Sequence, residues 1–292
     1  MIVRACASSA NLGPGFDCFG LAWQCYDVIE FTPGDKGLEI DGCDQRFRNA
    51  DNLAYRAYKA VLNELRLPER PLRIRFLSTG IPVSRGLGSS AALVVGGVLA
   101  ARALRAPTLD DGALLRIAAG VEGHPDNVAP ALLGGLTVSA MEGGRVVTRS
   151  FPLSDGLRFA ALVPDFELST ELARSVLPIQ LPRQDAIFNI SRSALLLKAL
   201  EDGDGELLRF GLQDRLHQSY RKELISGYDA AEALAYGQGA AGVCISGAGS
   251  TMLCVSLDPD FAGRMEAALA EVFPRWRVIP LLPDREGSAV VG

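Results

Sequence analysis

The chain has 292 residues, of which 48% are hydrophobic and 22% charged, and its net charge at pH 7 is −5. This is an ordinary globular composition, with enough apolar material for one large domain or two of moderate size. Nucleic acid is excluded as the main partner, because the sequence has no run of lysines and arginines of the kind that binds a phosphate backbone.

The first half of the chain predicts a mixture of strands and helices. Alternating or β-branched residues predict strands at 2–7, 23–31, 72–76 and 134–141. Apolar residues at helical spacing predict helices at 51–66, 89–104 and 114–121. A turn rich in glycine and proline, residues 78–88, leads from a strand directly into the long second helix.

The second half begins where proline, serine and glycine cluster, at residues 149–156. We therefore predict two domains, 1–153 and 154–292. Beyond this boundary the pattern predicts strands at 157–163, 241–246, 251–255 and 276–281, and helices at 185–200, 205–213, 227–236 and 261–273. The sequence thus indicates an α+β protein.

The N-terminus and the cysteines predict a cytoplasmic protein that does not enter a membrane. The first ten residues, MIVRACASSA, lack the apolar segment of a signal peptide. The longest apolar stretch, residues 91–103, is shorter than the ~20 residues that span a bilayer. The six cysteines include no CxxC pair, so we expect reduced thiols. The two histidines are too few for a multi-histidine metal site.

Segment 82–92, PVSRGLGSSAA, predicts an anion-binding turn between a strand and a helix. The start of a helix presents free N–H groups and the positive end of the helix dipole. Gly86 and Gly88 have no Cβ, so the backbone can approach a phosphate closely. Ser89 and Ser90 supply hydroxyls that can cap the helix, bind phosphate or ligate Mg²⁺. A plain helix cap after a glycine turn is the alternative for this segment taken alone.

The segment is not a Walker-type phosphate loop. That motif requires a lysine directly after its last glycine, whereas a serine follows Gly88 here. The chain has only four lysines, and none lies in the segment: Lys36, Lys59, Lys198 and Lys222.

Three more segments accompany the glycine segment: SSANLGPGFDCFGLA (8–22), EGHPDNVAPALLGG (122–135) and CISGAGST (244–251). Together the four resemble the GHMP superfamily of small-molecule kinases, which includes galactokinase, homoserine kinase, mevalonate kinase and phosphomevalonate kinase. Segment 8–22 is similar to the homoserine kinase family in particular. The resemblance implies the GHMP kinase fold, with an N-terminal ribosomal-protein-S5-like βαβ domain and a C-terminal ferredoxin-like domain.

The resemblance also implies an activity: ATP-dependent transfer of a phosphoryl group to the side-chain hydroxyl of L-homoserine, giving O-phospho-L-homoserine for threonine biosynthesis. Homoserine carries an ammonium and a carboxylate beside its hydroxyl. The resemblance implies Asp17 and Asn11 for the ammonium. For the carboxylate it implies Arg174 with Thr170, and Arg221, because guanidinium groups bind carboxylates bidentately. Otherwise Asn11 and Asp17 are turn residues, and the arginines are solvated surface charges.

The resemblance implies further roles around the phosphates. Ser90 and Glu122 would hold Mg²⁺, which needs only one or two protein oxygens. Asn127 would orient the hydroxyl and the γ-phosphate, while no residue is identified as a general base. His124 is a further candidate for contact with substrate, or else forms a loop hydrogen bond. For Asp126 the alternative to a catalytic role is that it structures that loop.

The expected nucleotide contacts come from the two glycine segments and from one asparagine. Asn52 would lie in the adenine pocket, although Asp51 is the better helix cap by residue type and Asn52 could be simply the first helical residue. The full expected set is Asn52, Pro82, Val83, Ser84, Arg85, Gly86, Leu87, Gly88, Ser89, Ser90, Ala91, Ala92, Gly247 and Gly249.

Two other functions remain open from the sequence. One is a different kinase of the superfamily, of the mevalonate or shikimate type. The other is a non-catalytic member that senses a metabolite, although the loss of Ser90, Glu122 or the glycines, which would indicate such a protein, is not seen. Relatives imply a homodimer, and feedback by threonine is a further expectation.

Overall fold

Two sheets, one from each half of the chain, carry the helices that surround the site. The computed structural model describes residues 1–292. The first sheet has seven strands: β1 (Ile2–Ala10), β2 (Phe19–Pro33), β3 (Leu38–Asp41), β4 (Leu72–Thr79), β5 (Leu136–Glu142), β6 (Arg145–Phe151) and β11 (Ala289–Val290). The second has four strands: β7 (Arg158–Val163), β8 (Gly242–Ile245), β9 (Met252–Ser256) and β10 (Arg277–Leu281).

The strand order is β11-β1-β2-β4-β3 in the first sheet, with β5 pairing β2 and β6, and β10-β7-β9-β8 in the second. All pairs are antiparallel except β3 with β4. The helices are α1 (Leu53–Glu64), α2 (Ser89–Arg105), α3 (Asp111–Glu122), α4 (Val128–Leu133), α5 (Thr170–Ser175), α6 (Arg183–Asp202), α7 (Gly205–Gly211), α8 (Gln218–Arg221), α9 (Tyr228–Gly237) and α10 (Phe261–Val272). None of them combines the length and the apolar character that crossing a bilayer requires.

Three apolar cores stack the two sheets and their helices in layers. The first core packs α1 to α4 against the first sheet, and the third packs α9 and α10 against the second sheet. The middle core contains residues of both sheets, together with α6 and α7. Within it the ring of Trp23 on β2 lies 5.1 Å from that of Phe159 on β7. The two halves therefore share buried surface and are held in a fixed arrangement.

All the predicted helices and strands are present, and the α+β class is confirmed. The sequence missed β3, β6, β11, α4, α5 and α8. Most of these elements are too short for apolar residues to repeat at helical or strand spacing. β11 has only two residues and is defined by its pairing with β1. The first helix begins after Asn52, whose Oδ1 accepts from the N–H of Ala54, so the expectation that Asp51 is the cap was wrong.

The proposed division at 153/154 falls in the connection between the two sheets. β6 ends at Phe151 in the first sheet, and β7 begins at Arg158 in the second. The end of the chain returns to the first sheet, where Pro283 bridges to Trp23 and β11 pairs with β1. The two-domain division thus stays a proposal, and in it the last residues would pack with the N-terminal half.

Candidate active site

The site begins at the N-terminus of α2, which has no side-chain cap. Gly88 precedes the helix with a φ of 69°, and the first helical hydrogen bond runs from the N–H of Ala92 to the Gly88 carbonyl at 2.9 Å. The N–H groups of Ser89, Ser90 and Ala91 therefore have no helical partner. Because these donors add to the positive end of a 17-residue helix, the position favours an anion.

Close backbone approaches explain the two glycines before this helix. Gly88 and Gly86 both have positive φ, at 69° and 80°. A Cβ at Gly88 would collide with Ser8 Oγ, and a Cβ at Gly86 would collide with the Ser246 carbonyl. The hydroxyl of Ser246 also donates to the Gly86 carbonyl at 2.6 Å. The glycine segment 246–250 of the second half is thus packed directly on the glycine segment of the first half.

Two cavities meet at this helix start and share Ser84, Ser89 and Ser90 in their walls. The first, of about 220 Å³, is mainly polar. The second, of about 640 Å³, is more apolar. Its apolar wall consists of Phe47, Leu53, Phe76, Val83 and Leu93. The arrangement suits a ligand with a flat apolar end in the second cavity and an anionic chain at the helix start.

Ser90 and Glu122 place two oxygen ligands beside the helix start. Glu122 is the last residue of α3, and its Oε2 accepts a hydrogen bond from the Ser90 hydroxyl at 2.7 Å. Burial raises the pKa of Glu122, although the Ser90 hydroxyl and the nearby His124 act in the opposite direction. A partly desolvated carboxylate beside a hydroxyl is a donor pair that fits Mg²⁺, which takes its remaining ligands from water and phosphate.

The loop after α3 directs two further side chains towards the first cavity. His124 Nδ1 lies 2.5 Å from Asp126 Oδ1, so the ring donates its Nδ1–H to the carboxylate. Burial acts to lower the pKa of His124, but Asp126 outweighs it, and the pKa is raised. Asn127 Oδ1 accepts from Ser8 Oγ at 3.0 Å, whereas its Nδ2 has no protein partner. That amide can donate to a ligand in the cavity.

Asp17 reaches the cavity from the connection between β1 and β2, which is shaped by Asn11. The Asn11 Oδ1 accepts from the N–H of Asp17 at 2.9 Å, and its Nδ2 donates to the Gly247 carbonyl at 2.7 Å. Both residues have positive φ, 71° at Asn11 and 56° at Asp17. Asn11 thus holds the loop that presents Asp17, and one lone pair of its Oδ1 and one N–H of its Nδ2 are left for a ligand.

Two arginines of the second half face Asp17, and they differ in their partners. Arg174 on α5 binds Asp17 through both terminal nitrogens, at 2.6 and 3.1 Å, and this raises the pKa of Arg174. Arg221 at the end of α8 is only 1% exposed. It donates to the carbonyls of Ala173 and Gly247, each at 3.0 Å, and has no carboxylate within ion-pair distance.

Burial and the neighbouring charge of Arg174 lower the pKa of Arg221 to about 10, so its guanidinium is still charged at neutral pH. A buried charge without a counter-ion is costly, since charges in protein interiors are normally paired. Arg221 lines the first cavity. It is therefore a charged group in the cavity that is available to bind an anion.

The structure gathers most of the predicted site residues around the two cavities. The first cavity contains Asn11, Asp17, Ser84, Gly86, Gly88, Ser89, Ser90, Glu122, His124, Asn127, Thr170, Arg174, Arg221, Gly247 and Gly249. The second contains Asn52 and Val83. Gly247 and Gly249, expected at the nucleotide, line the first cavity only. The Asn52 Nδ2 donates to the Phe47 carbonyl at 2.9 Å, so this side chain mainly shapes the wall.

Five residues of the glycine segment line neither cavity, contrary to expectation: Pro82, Arg85, Leu87, Ala91 and Ala92. Leu87, Ala91 and Ala92 are buried in the apolar cores, and Arg85 donates to the Pro164 carbonyl at 2.9 Å. Their side chains fix the loop in place. The run of apolar residues in α2 could have indicated that Ala91 and Ala92 are buried.

The sequence missed several residues of the site. Ser8, which orients Asn127, stands at the start of segment 8–22 and had a signal there. Asp126 orients His124, a role that its place in a loop of the sequence does not indicate. The aromatic wall of the second cavity, Phe47 and Phe76, had no signal, because Phe47 ends a 3₁₀ helix of only three residues and Phe76 has the pattern of an ordinary core residue of a strand.

Comparison with known proteins agrees with this geometry. Residues 52–135 match the family model "GHMP kinases N terminal domain", and residues 196–275 match "GHMP kinases C terminal". A homoserine kinase of Clostridium botulinum (strain Kyoto / Type A2) is 41% identical over 290 residues, which cover 99% of this chain and 97% of that protein.

Solved structures show the same fold. The crystal structure of homoserine kinase from Cytophaga hutchinsonii has a TM-score of 0.89 at 28% identity, covering 100% of this chain and 97% of that one. A mevalonate kinase of Methanococcus jannaschii has a TM-score of 0.74 at 15% identity, covering 97% and 98%. The second likeness extends to the fold alone.

Replacing Glu122 by glutamine tests the electrostatics of the site without any ligand. Because burial raises the folded-state pKa of Glu122, its ionised form costs stability above that pKa, and this cost disappears below the unfolded pKa of about 4.3. Glutamine removes the charge and keeps an acceptor for Ser90. We expect the melting temperature of Glu122→Gln at pH 7.5 to lie a few degrees above that of the unchanged protein, at about 2–4 °C per kcal/mol. This difference should shrink towards pH 4.

The measurement is thermal unfolding without nucleotide or Mg²⁺ at several pH values. Glu271→Gln is the matched control, since Glu271 is exposed on α10 and has no ion pair. If the melting temperature of Glu122→Gln at pH 7.5 is equal to or lower than that of the unchanged protein, burying this charge does not have the expected cost.

Proposed function

The chain belongs to the homoserine kinase family of the GHMP kinases, and from this we propose that it transfers the γ-phosphoryl group of ATP to the hydroxyl of L-homoserine. The product is O-phospho-L-homoserine, an intermediate of threonine biosynthesis. The observation that carries the substrate assignment is the buried Arg221 without a counter-ion, in one cavity with the Asp17–Arg174 pair and the free start of α2.

ATP is the co-substrate that the family uses, and the two cavities suggest how it lies. The apolar second cavity suits the adenine, with Phe47 and Phe76 in its wall. The triphosphate would then follow Ser84 and Ser89 into the first cavity, where the free N–H groups of α2 bind it. This supports backbone contacts from segment 82–92, with Gly86 and Gly88 allowing the close approach.

The first cavity suits the charges of an amino acid. The carboxylate of homoserine would bind Arg221 and Arg174, and its ammonium would bind Asp17. Asp17 and Arg174 are 35% and 38% exposed, so their present pair contributes little stability, about 0–1 kcal/mol. A zwitterion can open this weak pair and leave each side chain with a new partner. Thr170, the first residue of α5, lines the cavity beside Arg174.

Ser90 and Glu122 would hold Mg²⁺, which supplies positive charge to the phosphate oxygens. The rest of the transfer depends on positioning. The start of α2 stabilises charge on the transferred group, and Asn127 Nδ2 is free to orient the hydroxyl or a phosphate oxygen. His124, fixed by Asp126, lines the same cavity. Such transfers need little covalent chemistry from the protein.

The charges of the cavity favour this substrate over those of related kinases. Mevalonate has no ammonium, so it would leave Asp17 without a cationic partner other than Arg174. A purely metabolite-sensing protein would have no need for the Ser90–Glu122 oxygen pair beside a free helix start. We further propose a cytoplasmic location, since none of the six cysteines forms a disulfide. A homodimer is proposed only because relatives imply one.

A panel of hydroxyl substrates tests the function. We expect ADP release with Mg-ATP and L-homoserine to exceed that with mevalonate or shikimate by at least about 100-fold in kcat/KM, since unpaired buried charges penalise the wrong ligand. A coupled assay of ADP measures it, and release without any acceptor is subtracted. Equal turnover of homoserine and mevalonate would contradict the assignment of homoserine as the substrate. No turnover of any acceptor would favour a protein that only senses a metabolite.

Replacing Asp17 by asparagine tests the ammonium site. Losing one charged hydrogen-bonding partner costs about 1.5–3 kcal/mol, so KM for L-homoserine should rise roughly 10- to 150-fold. KM for ATP should change less than about twofold, because Asp17 does not line the second cavity. Asp258→Asn is the control, since it breaks an exposed pair with Arg264. An unchanged KM for homoserine in Asp17→Asn shows that another group binds the ammonium.

A further inference from the structure

The ring of Phe16 lies against both arginines of the first cavity. The guanidinium carbon of Arg221 is 5.1 Å from the ring centroid, and that of Arg174 is 5.6 Å from it. Both distances fall within the range of cation–π attraction, which extends to about 6 Å. The ring of His217 is also near, with its centroid 5.2 Å away at an interplanar angle of 34°. Phe16 is thus in contact with three groups of the second half.

Phe16 has no evident packing role. It is only partly buried, and it belongs to none of the three apolar cores. It also does not line either cavity. Its neighbour Asp17 faces the cavity instead and binds Arg174. The groups that its ring contacts are therefore the neutral ring of His217 and the two guanidinium groups.

His217 places a neutral ring beside Arg221 and adds no second positive charge there. The side chain is fully buried, and burial lowers its pKa, so the ring is neutral. Nε2 lies 2.8 Å from the Gly13 carbonyl, which requires the proton on Nε2. Nδ1 is then a neutral acceptor, 3.4 Å from Arg221 Nη1. Arg221 therefore contacts only neutral groups: two carbonyls, one imidazole and one phenyl ring.

The two arginines repel one another, and the charge of Arg174 is among the causes that lower the pKa of Arg221. While Asp17 neutralises Arg174, this repulsion is compensated. Once Asp17 turns to a substrate ammonium, this compensation is lost. Asp126 then acts on both guanidinium groups, and Asp214 on Arg221, without forming an ion pair with either. The substrate carboxylate and the negative face of the phenyl ring are the groups that then contact both arginines.

We propose that Phe16 is a positioning residue for the substrate carboxylate, which it serves by holding Arg174 and Arg221 side by side against its ring. The proposal rests on the function proposed above, because it assumes that the carboxylate binds these arginines. The ring lies next in sequence to Asp17, so one short loop presents the group for the ammonium and the support for the groups that bind the carboxylate. Phe16 acts through the arginines and does not itself touch the substrate.

The test compares L-homoserine with homoserinol, in which a CH₂OH group replaces the carboxylate. We expect Phe16→Leu, which keeps an apolar side chain and removes the ring face, to raise KM for homoserine about tenfold with little change in kcat. The parameters for homoserinol and KM for ATP should change by less than about twofold. Phe16→Tyr keeps the ring and should restore KM for homoserine to within about twofold of the unchanged protein.

Phe188→Leu is the matched control. Phe188 is also partly buried, and Arg192 and Arg215 lie 3.8 and 4.1 Å from its ring, but none of the three lines the first cavity. It should leave KM for homoserine unchanged. Melting temperatures establish that each variant is folded. If Phe16→Leu does not fold, Phe16→Met replaces it, since the unbranched, flexible methionine adapts its shape to the space that the ring leaves.

Two results overturn the positioning role while the kinase function stands: equal losses on homoserine and homoserinol in Phe16→Leu, or no loss on either. If the unchanged protein uses homoserinol as well as homoserine, the carboxylate does not bind the arginines, and the proposal falls with that assignment. If the unchanged protein phosphorylates neither, the proposed function itself is wrong. The arms therefore separate a failure of the inference from a failure of the function.

Discussion

The start of α2 has free N–H groups and no side-chain cap, and the rest of the site depends on the positive potential left there. A capping serine or aspartate would satisfy these donors, but Gly88 occupies that place because Ser8 leaves no room for a Cβ. The second glycine segment closes against the first at Gly86, and so brings the second half of the chain to the same point. The two cavities meet there, and in the proposed function a nucleotide in one meets an acceptor in the other.

Charge then distinguishes the two ends of the first cavity. The helix start favours phosphate, while the Asp17–Arg174 pair and the buried Arg221 favour a zwitterion. The ion pair between Asp17 and Arg174 is partly exposed and therefore weak. Arg221 is buried away from water, so its electrostatic attraction for a ligand charge is stronger. The surroundings of Arg221 are neutral, because His217 is held in its neutral form and Phe16 offers only a ring face. The site is thus organised before a ligand arrives.

The sequence predicted what is local in the chain. Segment 82–92 predicted the helix start, and the resemblance of other parts of the chain to known kinases implied Asp17, Glu122 and Arg221, which the structure brings to one cavity. It could not predict contacts that exist only after folding. Phe47 and Phe76 join one wall although they stand far apart in the chain, and β11 forms only against β1. Residue type favoured Asp51 as the cap of α1, but the hydrogen bonds of Asn52 with Phe47 and Ala54 decided it. The roles of the site residues remain proposals.

The most direct test of this account is a crystal structure with L-homoserine and a non-hydrolysable ATP analogue. The account predicts that the bidentate Asp17–Arg174 pair opens, with the ammonium on Asp17 and the carboxylate on Arg221, at hydrogen-bonding distances of about 2.7–3.1 Å. The hydroxyl should point to the phosphates at the start of α2. An intact Asp17–Arg174 pair, with the homoserine carboxylate away from Arg221, would contradict the central claim that this cavity is built for a zwitterion.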